Sequence, residues 1–397
     1  MQPASQKKTA AWKFIMMIGV LSFFADFTYE GSRSILGPYL ALLSASATAV
    51  GVVTGFGELL GYGLRLVSGS MADRTGKFWP ITIFGYVLQM FAVPALALAD
   101  NWQTAAVLII LERVGKAMRN PPRDTMLSHA AQEIGYGKAF GAHEALDQLG
   151  ALFGPLAVAG VLALRGEYRI AFAALLVPGI ICLCLLLVAR HLYPHPESME
   201  AEIAVPDVTT QKFPRVFWIY LAGAGLVAAG FADFPLIAYH FQKTSSVPQH
   251  WVPIAYAIAM AVSGAGSLVF GRLFDRFGIA ILIPLTVVSA LFAPLVFLGG
   301  FWAALLGAAL WGIGMGVHES IVPAAVAPMV PRQHRASAYG LFTAGYGVCW
   351  FIGSALIGIL YDRSLTATIV FCVVLQLAAI PLFVVVRKQA DATKAAT

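Results

Sequence analysis

Apolar runs broken by short polar segments dominate the chain. Ala105–Leu111, Ala171–Ala189 and Ile281–Trp302 contain no charged residue at all. A helix crosses the roughly 30 Å hydrocarbon core of a bilayer with about 20 predominantly apolar residues. On that measure the pattern predicts twelve membrane-spanning helices, at 14–39, 46–70, 79–99, 102–121, 138–163, 169–189, 216–241, 251–272, 278–299, 302–326, 336–361 and 364–386. The first apolar run is too long for a cleavable signal peptide, and no small-residue cleavage site follows it. Residues 190–215 are polar and contain Pro194, Pro196 and Pro206, so they read as a linker between six helices and six. The expected domains are therefore a bundle over 1–189, a cytoplasmic linker over 190–215 and a second bundle over 216–397.

Composition sharpens this all-α membrane reading. Of 397 residues, 59% are hydrophobic and only 12% charged, with a mean hydropathy of +0.78; a soluble chain carries about 25% charged residues. Cys182, Cys184, Cys349 and Cys372 all lie in apolar runs and read as small hydrophobes rather than disulfide or zinc ligands. With the N-terminus in the cytoplasm, 18 lysines and arginines fall on the inner side and four on the outer side. That asymmetry places both termini inside. Arg119 and Arg123 are counted among the inner 18. The net charge of +6 then marks the inner membrane face and requires no nucleic acid. A multi-pass, monomeric protein of a bacterial-type inner membrane is expected.

Several short patterns occur twice. Phe24-Ala25-Asp26-Phe27 returns as Phe231-Ala232-Asp233-Phe234. Gly69-x-x-x-Asp73-Arg74-x-Gly76-Lys77 returns, 202 positions later, as Gly271-x-x-x-Asp275-Arg276-x-Gly278. Phe140-Gly141 and Gly154 align with Tyr339-Gly340 and Gly353 at an offset of 199. Matches near one offset indicate a duplicated six-helix unit, a common transporter architecture.

The GxxxDRxGK stretch after the second span resembles the loop signature of the major facilitator superfamily, with a weaker copy after the eighth. Gly141, Gly150, Gly154 and Pro155 in the fifth span resemble the helix-packing motif of its antiporter branch of drug/proton exporters. The resemblance covers the whole chain. It departs at the fourth span, where Arg113-Val-Gly115-Lys116 and the continuation Arg119-Asn-Pro-Pro-Arg123-Asp124 differ from the family pattern. Membership implies two pseudo-symmetric six-helix bundles and alternating access. It also implies proton-coupled export of small lipophilic or cationic compounds, with a proton gradient and no cofactor.

Intramembrane charges are costly and normally line an interior path. Asp26, Glu30 and Arg33 share one face of the first helix, spaced i, i+4 and i+7. Glu144 and Asp147 share a face of the fifth. Asp26, Glu144 and Asp147 are the expected proton carriers, since a carboxyl titrates near ambient pH when burial and neighbouring charge shift it. Glu112 and Lys116 are spaced to pair, and Arg113 is positioned to touch the acids of the fifth span. The expected substrate cavity comprises Glu30, Arg33, Glu58, Glu112, Arg113, Lys116, Phe231, Asp233, Tyr239, Tyr346 and Trp350. The expected gate comprises Gly69, Asp73, Arg74, Gly76, Lys77, Asp275 and Arg276, in which the charges latch the cytoplasmic mouth.

Three rival functions are weighed against this. An intramembrane enzyme lacks an HExxH or GxSxG motif, and Gly312-Ile-Gly314-Met-Gly316 reads as helix packing rather than a phosphate loop. A divalent-metal exporter would draw on Asp26, Asp233 and His318. An organic-anion carrier would use Arg33, Arg113 and Lys116. Within the first six spans, the six acids Asp26, Glu30, Glu58, Glu112, Glu144 and Asp147 outnumber Arg33, Arg65, Arg113 and Lys116, which favours cationic or neutral cargo.

Overall fold

The computed structural model describes residues 4–132, 134–194, 213–326, 329–330 and 335–395. Among them all regular structure is helical. The first half comprises α1 (Ala4–Leu42), α2 (Ala47–Thr75), α3 (Phe78–Ala95), α4 (Trp102–Ala131), α5 (Tyr136–Arg165), α6 (Tyr168–Ala174) and α7 (Leu176–Leu192). The second comprises α8 (Arg215–Ala229), α9 (Phe234–Thr244), α10 (Trp251–Phe277), α11 (Leu282–Ala290), α12 (Phe292–Leu298), α13 (Phe301–Ala324), α14 (Arg335–Arg363) and α15 (Leu365–Ala395). Most of the expected linker, residues 195–212, lies outside the described residues.

Ten helical stretches among the described residues are long and apolar enough to cross a membrane, where twelve were expected. The difference has two physical sources. Helix α4 carries Glu112, Arg113, Lys116, Arg119, Arg123 and Asp124 and is too polar to qualify. Trp251–Leu298 is a single 48-residue stretch, about 72 Å long at 1.5 Å per residue. Gly278, at φ +60°, interrupts it.

The chain forms two compact units, one of Met1–Ile35 with Leu60–Val205 and one of Leu36–Leu59 with Pro206–Thr397. The exchange at Val205 falls inside the expected linker. The inclusion of the end of α1 and the start of α2 in the second unit was not expected.

In the first unit, backbones approach closely at several of the glycines. A Cβ at Gly85 would lie 2.6 Å from the Gly115 carbonyl oxygen, and one at Gly115 would lie 2.7 Å from that of Gly85. Helices α3 and α4 therefore touch backbone to backbone. Gly150 and Gly154 of α5 seat against the Phe23 and Phe27 carbonyls of α1 in the same way. Gly141 has nothing within 4 Å of a notional Cβ, so this member of the expected packing motif packs against nothing.

In the second unit, Gly353 of α14 seats against Ala229 of α8, which reproduces the Gly154–Phe27 contact. This equivalence aligns Phe27 with Ala229, an offset of 202, whereas the FADF copies are 207 apart. The tetrapeptides therefore do not occupy equivalent places. Asp26 lies within the continuous α1, while Asp233 lies in the break between α8 and α9. Gly312 and Gly316 of α13 seat against Ala259 and Ser263 of α10. The start of α2 lies along α14 through Gly51, Gly55 and Gly358. Asp362 of α14 caps α2, accepting from the backbone N–H groups of Ala47 at 3.1 Å and Thr48 at 2.8 Å and from the Thr48 hydroxyl at 2.6 Å.

The GxxxDRxG repeat has a backbone explanation. Gly76 and Gly278 both adopt the left-handed region, at φ +63° and +60°, and end α2 and α10, as glycine commonly does. Gly69 makes only ordinary contact and Gly271 none, so neither is the close-packing glycine expected there. Of the cysteines, Cys182 and Cys372 are buried, but Cys184 is exposed.

Adding a Cβ branch at Gly154 forces α5 off α1. Gly154→Val is expected to cost about 1–3 kcal/mol, as overpacking does, and to lower the thermal unfolding temperature in detergent. Gly141→Ala should leave it unchanged.

Candidate functional site

Buried charges are tolerated when they are paired and hydrogen-bonded. The first unit concentrates its own in one network on α1, α3, α4 and α5. At its centre is Arg119, none of whose surface is accessible. Its Nε donates to Gln89 Oε1 at 2.6 Å and its Nη1 to the Tyr86 hydroxyl at 2.9 Å. Its Nη2 faces Asp26 Oδ1 at 3.4 Å. The Gly85–Gly115 crossing makes this possible, because Gln89 and Arg119 each follow their glycine by one helical turn.

From Gln89 the network runs toward the far end of α1. Gln89 Nε2 donates to Glu112 Oε1 at 2.9 Å, and Glu112 Oε2 lies 3.6 Å from Arg113 Nε. Arg113 Nη1 donates to the Tyr29 hydroxyl. Arg33 Nη1 donates to the same hydroxyl at 3.1 Å. Lys116 Nζ sits over the Tyr29 ring, 3.6 Å from its centroid.

A second arm runs from α4 to α5. Arg123, 6% exposed, donates to Asp124 at 2.8 Å and to Ser22 Oγ at 3.0 Å. Ser22 Oγ is 2.9 Å from His143 Nε2. A hydroxyl oxygen that accepts from Arg123 still has one O–H to donate and a second lone pair to accept with, so Ser22 can serve either tautomer of His143. His143 Nδ1 faces Asp147 Oδ2 at 3.9 Å. Asp147 Oδ1 is buried with no hydrogen-bond partner among the described residues. Glu144 is exposed and accepts from Gln148 at 3.0 Å. One ligand atom each from His143, Glu144 and Asp147 falls within 4.8 Å of the others.

The second unit carries an aromatic cluster. Phe231 lies 4.4 Å from His318, 5.3 Å from Trp311 and 5.7 Å from Trp350, centroid to centroid. Asp233 is held in the α8–α9 break by Trp350 Nε1 at 3.0 Å and Ser354 Oγ at 3.1 Å. His318 Nδ1 pairs with the Tyr346 hydroxyl. Tyr239 donates to the Ala45 carbonyl at 3.1 Å.

Comparison with known proteins fits this architecture. The family profile described as Major Facilitator Superfamily matches residues 18–300 and 234–397. The chain belongs to the Major Facilitator Superfamily. It is 41% identical to the uncharacterized protein Rv2265 of Mycobacterium tuberculosis, over 97% of this chain and 95% of that one. It is 25% identical to the uncharacterized MFS-type transporter MJ1317 of Methanocaldococcus jannaschii, over 92% of each chain. Its fold is similar to the crystal structure of the nucleoside transporter NupG, at a TM-score of 0.72 and 15% identity, over 96% of this chain and 98% of that one. Superfamily membership makes the protein a multi-pass membrane transporter rather than an enzyme.

Within this major facilitator chain the expected residues divide clearly. Asp26, Glu30, Arg33, Glu112, Arg113 and Lys116 belong to the buried network, though with different partners from those expected. Glu112 turns to Gln89 and Arg113 instead of Lys116. Arg113 binds Tyr29, and it is Arg123 that leads through Ser22 and His143 to the acids of α5. Glu58 is half-buried on α2, and Arg65 lies over Tyr62 at 5.7 Å. Phe231, Asp233, Tyr346 and Trp350 come together in the second unit, while Tyr239 points to Ala45. Of the residues weighed for a metal, Asp26 lies in the first unit and Asp233 and His318 in the second. Both Asp233 oxygens are engaged by Trp350 and Ser354, and His318 Nδ1 by Tyr346. The gate charges Asp73, Arg74, Lys77, Asp275 and Arg276 are exposed. None of them makes an ion pair among the described residues.

Sequence reasoning missed Arg119, Arg123, Gln89, Tyr29, Ser22 and His143. A signal existed for the two arginines: Arg113, Lys116, Arg119 and Arg123 recur every three or four positions, which is one helical face.

Removing Arg119 takes a fully buried charge from the network and leaves the half-buried Asp26 without its ion-pair partner. Arg119→Met is expected to destabilise by about 3–5 kcal/mol, as breaking a buried pair does. The double variant Asp26→Asn/Arg119→Met should recover part of that loss in thermal unfolding, and no recovery would mean the two side chains are not coupled.

Proposed function

We propose that this chain is a twelve-span secondary active transporter with both termini in the cytoplasm of a bacterial-type inner membrane. It exchanges protons for a small molecule by alternating access. The observation that carries the coupling reading is the bare Oδ1 of Asp147. A bare, buried carboxyl oxygen has a free site for a proton, and the His143 imidazole, 3.9 Å from the other oxygen, lies beside it to receive or supply that proton, with Ser22 and Arg123 behind it. Asp147 is therefore the leading carrier. Asp26 is tied to Arg119 and changes partner only if that contact loosens, and Glu144 is exposed and bonded to Gln148. Protonation of Asp147 removes the negative charge facing His143 and, through Ser22, the restraint on Arg123. That is the step proposed to link proton binding to movement of α5 against α4.

The seating of Gly150 and Gly154 against α1 supports exchange, since it resembles the packing motif of the antiporter branch. The charge argument for cationic cargo is weakened. Arg119, Arg123 and Asp124, on the continuous α4, add to the six acids and four cations counted from the sequence, giving seven acids against six cations. One proton on Asp147 cancels the difference. Lipophilic cargo remains compatible with the aromatic cluster around Phe231, whereas the sign of its charge must come from local geometry.

The test uses the full chain in vesicles with a lumenal pH dye and an imposed pH gradient, to which lipophilic cations, neutral aromatics and organic anions are added in turn. A cargo that triggers proton movement in wild type should trigger none, or at least tenfold less, in Asp147→Asn. Tracer transport with no proton movement would sink the exchange reading.

A further inference from the structure

We infer that the Tyr29 end of the network is the receptor for the carboxylate of a small organic anion, with Lys116 as its principal contact. The inference deepens the transport reading above and rests on it.

The geometry around Tyr29 is unusual for a purely structural site. The ring is 2% exposed and is met by three cations: Lys116 Nζ at 3.6 Å from its centroid, Arg113 Cζ at 5.0 Å and Arg33 Cζ at 6.0 Å. Two buried carboxylates, Glu30 and Glu112, share this region, at 8% and 5% exposure. Arg119 is matched separately by Asp26. The cluster thus holds three positive charges and two negative ones. An unmatched charge away from water is expensive, and a monoanion removes the excess.

The excess is localised. Glu112 spends its two oxygens on Gln89 and Arg113. Asp26 and Glu30 act on Lys116 through space. Among the described residues, however, the Lys116 ammonium has no hydrogen bond and no ion pair. It lies against the face of the Tyr29 ring. An ammonium carries three N–H donors and no acceptor, and a ring face satisfies charge but accepts no conventional hydrogen bond. Lys116 is also half-buried rather than sealed. The helix offers it an i, i−4 acid in Glu112, and the fold spends that acid elsewhere, which leaves the lysine available. A carboxylate accepts several donors at once, which suits an ammonium beside two guanidinium groups. A cationic cargo would meet three like charges around one ring.

The test is direct binding to the purified full chain in detergent, at constant pH and ionic strength and with no gradient. Benzoate, hexanoate and N-acetylphenylalanine are the anionic probes, and benzylamine and hexylamine the matched cations. Ligand that binds only the folded state raises its unfolding temperature by mass action. At least one carboxylate should raise it by several degrees in wild type and in Lys116→Arg, with no rise in Lys116→Gln. The amines should produce none. The proposal is overturned if no carboxylate shifts folded wild-type protein, if the shift survives Lys116→Gln, or if the amines outperform the acids. Should Lys116→Gln fail to fold, the wild-type contrast of acid with amine and the retention of binding in Lys116→Arg still decide. Proton flux that depends on Asp147 without carboxylate binding would defeat this site alone. Carboxylate binding without proton flux would defeat the coupling reading alone.

Discussion

A guanidinium with no accessible surface dictates much of the first unit. Taking a charge of that kind out of water costs several kcal/mol even after relaxation, so Arg119 is stable only where every direction offers a partner. Asp26, Gln89 and Tyr86 supply them from α1 and α3. Because the charge cannot move without losing all three, α1, α3 and α4 are registered against one another at that point. Gln89 then extends the arrangement, since its amide accepts from Arg119 and donates to Glu112. Disturbing one end of this chain reorients the other.

Such a network can form only between backbones that approach closely, and the reciprocal seating of Gly85 and Gly115 provides that approach. In lipid, helices gain little from burying apolar surface against each other, and small residues at crossings replace that driving force with close packing and interhelical hydrogen bonds. The α1–α5 crossing follows the same logic, with Gly150 and Gly154 set against Phe23 and Phe27 on either side of Asp26. Packing and electrostatics are in this respect one device: glycines set the spacing and charged side chains set the register.

Much of the helical architecture was legible as apolar runs, whereas the role of Gly76 and Gly278 as left-handed helix ends emerged only from the backbone. The site was less legible, for two physical reasons. Arg119 and Arg123 stand at the end of the apolar run over 102–121, where a positive-inside count takes them for charges of the inner face. The helix instead continues to Ala131, carrying both inward. The FADF repeat misled in the opposite direction. Identical letters suggested equivalent aspartates, but helix packing aligns Phe27 with Ala229, which leaves Asp233 in a backbone break with no counterpart. His143 gave no signal beyond its position on α5, since its importance comes from Ser22, 121 residues away in sequence.

The capping of α2 by Asp362 differs in kind from the Arg119 network. Asp362 and Thr48 meet at an exposed position, where the freed N–H groups and carboxylate can each be taken up by water. Separating them exchanges one set of hydrogen bonds for another of nearly equal strength. The capping bonds are thus reversible in a way the buried arginine contacts are not. They behave as a fastener that solvent can undo and remake at little cost in free energy.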